Sequence, residues 1–189
     1  MLGRVLLFVA LMAQPVGAEC LAEGQVPKFI DFGDGQVVRN ITVQSGLLTY
    51  ETTAGGQPTY SEVRYGLYPE LVRRGATENR FDWSGQVLTP AADLPVGQEV
   101  ELKARTSGDS PGEFVFALTS LGPEDFTLGD CTYQAIHLKM RQGRAEAPVM
   151  RGDRWFDPVR LITFKHEFTT LDKDGKPVRT FGTTVQTME

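Results

Sequence analysis

The stretch VVRNITVQSGLLTYETTAGGQPTYSEVRY covers residues 37–65, and its rhythm decides the fold. Runs of about five to eight residues rich in Val, Ile, Thr and Tyr are bounded by Gly, Ser and Pro, the mark of strands joined by tight turns. Within each run the apolar positions recur with a period near two, which sends successive side chains to opposite faces of a strand. Working outward, KFIDF (28–32), EVELKART (99–106), EFVFALTS (113–120), CTYQAIHLKM (131–140), LITFKHEFTT (161–170) and PVRTFGTTVQ (177–186) repeat the pattern. FGDGQ (32–36), SGDSPG (107–112), RQGR (141–144) and DKDGK (172–176) read as the turns between them.

This spacing predicts an all-β chain, an antiparallel sandwich or half-barrel of roughly ten short strands with little helix. Only YPELVRRG (68–75) reads as a helical turn, with Pro69 at its first position. The segment TPAADLPVGQ (89–98) is a polar, Pro-rich connection without a change of charge, so residues 19–189 read as a single all-β domain.

A second segment, RWFDPVRLITFKHEF (154–168), holds one of two tryptophans, one of two histidines and an Asp-Pro step. Pro158 fixes its own φ and biases Asp157 to extended geometry, so the segment reads as a strand reached through a corner. With a period of two, Ile162, Phe164, His166 and Phe168 share a face, which puts His166 on an apolar stripe. RYGLYPELV (64–72) echoes RWFDPVRLI (154–162): aromatics, a proline, then apolar residues.

The first eighteen residues have the form of a secretory signal peptide: Arg4, an apolar run over residues 5–13, then small residues at Val16 and Ala18. The run is too short to span a bilayer, and no later stretch supplies the roughly 18 apolar residues a membrane helix needs. A periplasmic or secreted location is therefore expected. A lipid anchor on Cys20 would need a small residue before the cysteine, where Glu19 stands. Cys20 and Cys131 are the two cysteines, and in an exported chain they are expected to form one disulfide rather than a redox pair, which would have C-x-x-C spacing. Closing a loop of about 110 residues is worth about 4–5 kcal/mol in the chain-entropy model.

Residues 1–18 carry Arg4 and no acid, so the remainder holds 18 basic against 24 acidic residues, a net charge of −6. Nucleic acid and anionic membrane surfaces both need a basic face, and neither is expected as a partner.

Enzymatic motifs are weak. GDSPG (108–112) resembles the Gly-Asp-Ser-Gly-Gly neighbourhood of trypsin-like serine proteases, but Pro111 follows Ser110, and His137 and His166 both come after the serine rather than before it. The loop from Asp172 lacks the terminal glutamate of a calcium loop, having Thr183 there. Two histidines 29 residues apart do not make a zinc motif. No metal or cofactor is expected.

The residues point to an exported binding or envelope-associated module rather than a catalyst. An apolar small molecule is the expected ligand, and Trp155, Phe164, His166, Phe168, Phe114 and Phe116 are the pocket candidates. One alternative is a structural or adaptor protein that pairs with an envelope protein. Another is a hydrolase using His166 or His137 with a carboxylate.

Overall fold

The computed structural model describes residues 20–144 and 149–189; the expected signal peptide, residues 1–18, lies outside them. Thirteen strands lie among the described residues: β1 Phe29–Asp31, β2 Val37–Gln44, β3 Leu47–Ala54, β4 Gln57–Arg64, β5 Tyr68–Arg74, β6 Thr77–Asp82 and β7 Glu99–Gly108, followed by β8 Gly112–Leu128, β9 Cys131–Arg144, β10 Met150–Asp157, β11 Ile162–Leu171, β12 Pro177–Thr184 and β13 Thr187–Met188. Among the described residues the helix content is a three-residue 3-10 turn, Ala91–Asp93, in the Pro-rich connection. All strands belong to one antiparallel sheet in the order β12-β11-β10-β9-β8-β7-β6-β5-β4-β3-β2-β1-β13.

This is an all-β antiparallel fold with a single sheet, not the two of a sandwich. The hydrogen-bonded order does not close, but its two ends are tied by the chain itself. Only Val185 and Gln186 separate β12 from β13. The Val185 amide donates to the Phe164 carbonyl of β11 at 2.8 Å, and the Gln186 amide donates to the Asp31 carbonyl of β1 at 2.8 Å. The sheet is thereby bent so that β1–β4 face β8–β11 across its interior.

Three expectations change. YPELVRRG is strand β5, not a helical turn. Its Tyr68 and Leu71 are buried, and Pro69 sits where the register with β4 shifts between Glu62 and Val63, a bulge that needs no amide donor from proline. RQGR is the end of β9 rather than a turn, because Gln142 is paired on both sides, with Phe116 of β8 and Met150 of β10. The strands are also more numerous than ten and not all short, with 17 residues in β8 and 14 in β9.

Two apolar cores result. The first gathers Leu102, Phe116, Leu118, Leu138, Met140 and Phe168 around Tyr68 and Trp83. The second gathers Ile30, Phe32, Cys131, Tyr133, Ala135, Phe164 and Val185. Strand β9 serves both, and it does so with opposite faces. Cys131, Tyr133 and Ala135 share one parity, while Leu138 and Met140 share the other, and the change falls at Ile136–His137 opposite the β8 bulge at Ser120–Gly122. A second bulge, at Trp155–Phe156 against β11, does the same for that strand. It breaks the expected single stripe: Phe164 enters the second core and Phe168 the first.

The Cys20–Cys131 disulfide forms, with Cα atoms 5.5 Å apart and 111 residues between them in sequence. It pins residue 20 to the start of β9. Arg160, in the corner between β10 and β11, fastens the next turn of chain. Its guanidinium donates to the carbonyls of Leu21 (3.3 Å), Ala22 (2.7 Å) and Gln25 (3.1 Å), pairs with Asp157 at 2.7 Å and lies over the Tyr133 ring. The Asp-Pro corner of RWFDPVR is thus a buried clamp on the N-terminal strap. Asp157 shapes it as well, because its Oδ1 accepts from the Val159 and Arg160 amides.

Candidate functional site

The bent sheet lines a partly open cavity of about 410 Å³. One wall comes from β1–β4, where Ile30, Val38, Leu48 and Val63 make it mostly apolar, with Tyr50, Thr52 and Ser61 beside them. The facing wall comes from β8–β11 and carries Phe114, Gln142, Arg154 and His166. Part of the wall between them is built where the two echoing corners meet. Gly66, in the turn before β5, packs so closely on the 156–161 corner that a Cβ there would lie 2.2 Å from the Leu161 carbonyl oxygen and 2.8 Å from Phe156 Cζ. Both corners hold a residue in left-handed geometry, Tyr65 at φ 52° and Leu161 at φ 60°. The resemblance of the two segments therefore corresponds to a physical contact.

Arg154 enters the cavity because β10 alternates Gly152, Arg154 and Phe156 on its inner face. Gly152 leaves room for the Phe168 ring, since a Cβ there would sit 2.7 Å from Phe168 Cδ1 and 1.9 Å from the Glu167 carbonyl oxygen. Arg154 is half-buried, and the surface it keeps opens on the cavity. Its Nε is buried with no hydrogen-bond partner, and among the described residues its guanidinium makes no ion pair. Burial pushes the Arg154 guanidinium below its ordinary range, with Tyr50 working in the other direction. Arginine still keeps its proton.

His166 pairs with Arg154 across the β10–β11 ladder. Burial, reinforced by the Arg154 charge and opposed by Asp34, pushes its pKa down to about 4, so the ring is neutral at pH 7. Its contact to Thr183 Oγ1 is 3.4 Å.

The expected pocket residues are distributed rather than gathered. His166 and Phe114 line the cavity. Phe116 and Phe168 belong to the first core and Phe164 to the second. Trp155 lies on the other face of β10, where it packs against the second core and stacks on His137 at 4.4 Å, with the Lys165 ammonium 4.3 Å from its ring centre. Arg154, Tyr50 and Gln142 were not among the expected residues. The signal for Arg154 lies in register: it is on the same face as His166, but only pairing shows that.

His137 lies outside the cavity. Its Nε2 is 2.8 Å from Asp153 Oδ1 and its Nδ1 is 3.2 Å from Glu124 Oε2. The two carboxylates approach opposite sides of the ring, so they do not converge on one point where a cation could sit. Among the described residues no group of three or more His, Cys, Asp and Glu is placed to hold a metal ion. No helix among them is long and apolar enough to cross a membrane. Comparison with protein-family models, with curated proteins and with solved structures found no match to the chain.

Proposed function

We propose that the chain is an exported binding module that takes an apolar small molecule into the interior of its bent sheet. The observation that carries this reading is the 410 Å³ cavity, a size within the range of small-ligand sites, with aliphatic residues of β1–β4 prominent in its lining. The pocket is partly open, so a ligand can reach it from solvent. The disulfide and the signal-like first eighteen residues support export. A catalytic reading has less support. The cavity histidine stands beside a cation rather than a carboxylate, and both ring nitrogens of His137 are already engaged.

The test is native mass spectrometry of protein purified from a secreting host, together with titration by an apolar naphthylamine fluorophore. Extra mass that is lost on denaturation, or fluorophore brightening that Val63→Phe abolishes by filling the cavity, supports the reading. A bare native mass with no brightening sinks it.

An adaptor role has one observation in its favour. β12 lies at an end of the strand order with six of its eight residues exposed, among them Val178 at 65%. Such an edge offers unpaired backbone groups to a partner strand. Loss of co-purifying protein on Val178→Lys would separate this role from ligand binding.

A further inference from the structure

Resting on the binding reading, we propose that the ligand is a monoanionic amphiphile, a carboxylate-headed chain, whose head is held by Arg154 while its tail lies against the aliphatic wall.

The argument starts from a contrast between two arginines six positions apart. Arg160 is buried and every part of it is used: one carboxylate, three carbonyls and an aromatic face. Arg154 is half-buried and has none of these; it opens on the cavity with its Nε buried and unpartnered. A guanidinium with a buried, unpartnered donor facing an apolar-lined cavity lacks the pairing that charges out of bulk water normally have. The cavity it opens on supplies Leu48, Val63 and Ile162 but no carboxylate. The missing partner is therefore an anion brought from outside.

The charge of that anion follows from the same wall. Arg154 provides one positive charge, and His166, its cross-strand neighbour, is neutral at pH 7 because burial and Arg154 hold its pKa at about 4. One cation matches a carboxylate, whereas a phosphate monoester would bring a second negative charge with nothing to meet it. The planar guanidinium also fits a carboxylate through two parallel hydrogen bonds. A bound carboxylate beside His166 would favour the protonated ring, so binding should take up protons below neutral pH.

The experiment displaces the naphthylamine fluorophore from the full chain with dodecanoate, dodecanol and dodecyl phosphate, for wild type, Arg154→Met and Arg154→Lys. The expected result is that wild type binds dodecanoate about 10- to 100-fold more tightly than dodecanol, the range a charge-assisted hydrogen bond supplies. Arg154→Met should erase that preference, so that dodecanoate and dodecanol compete for the cavity equally. Arg154→Lys should keep part of the preference, which also covers the case in which the Met variant fails to fold. Equal binding of dodecanoate and dodecanol by wild type overturns this inference and leaves the cavity reading standing. Tighter binding of dodecyl phosphate than dodecanoate overturns the monoanion. Absence of fluorophore binding and of displacement by any of the three overturns both readings.

Discussion

Replacing Arg160 with methionine tests whether the Asp-Pro corner is the clamp that fixes the N-terminal strap. Asp157 is 1% exposed and Arg160 8%, and they meet at 2.7 Å. Removing the cation leaves a carboxylate in a place water does not reach. The carbonyls of Ala22 and Gln25 are on exposed residues and can turn to water instead, so they add little. The cost is dominated by Asp157, and breaking one side of a buried pair costs about 3–5 kcal/mol. For a chain of this size each kcal/mol moves Tm by roughly 2–4 °C, so Tm should fall by roughly 6–20 °C. Asp157→Asn keeps an oxygen to accept from the Val159 and Arg160 amides but loses the charge, and should cost less than Arg160→Met. The double variant leaves neither charge stranded and should be more stable than the sum of the single effects by about 2 kcal/mol. Thermal and urea unfolding with the disulfide intact would measure all four corners of the cycle. A drop under about 2 °C for Arg160→Met, or strict additivity in the double variant, would refute the clamp.

Three further outcomes are expected. His166 has its pKa lowered to about 4 in the folded state, below the unfolded value of 6.5, so the unfolded chain binds more protons between those limits and stability falls as pH drops through that window. The full shift is worth about 3 kcal/mol, and partial exposure of the ring reduces this to on the order of 2; His166→Gln should flatten urea midpoints measured between pH 7 and pH 4. Gly66→Ala would meet the Leu161 carbonyl at 2.2 Å in left-handed geometry, and Gly152→Ala would meet the Glu167 carbonyl at 1.9 Å, so each should cost about 3 kcal/mol or more, whereas Gly75→Ala, with open space around it, should cost only its strain of about 1 kcal/mol by the same unfolding assay. Replacing both cysteines by serine opens a 111-residue loop and should lower stability by up to about 4–5 kcal/mol, with denaturant titration as the check; an effect below about 1 kcal/mol would mean that Arg160 alone holds the strap.

By itself, the sequence determined everything that depends on local periodicity. Alternation over 37–65 is a property of neighbouring residues, so strands β2–β4 and their turns are legible there, as are the FGDGQ, SGDSPG and DKDGK turns. The cysteine pair is legible too, since each of the chain's two cysteines has only the other as a partner within it. Where tertiary contacts outweigh local preference, legibility ends. YPELVRRG becomes a strand because β4 and β6 pair with it on both sides, and RQGR stays extended because β8 and β10 hold it. The face a side chain occupies is also decided at long range. A single bulge opposite Trp155 reverses the parity of β11, which sends Phe164 and Phe168 to different cores although both follow one stripe in sequence. The same register places Arg154 beside His166 and leaves it without a counter-charge. No local pattern marks an arginine as unpaired, because pairing depends on which strands become neighbours, and only the assembled sheet settles that.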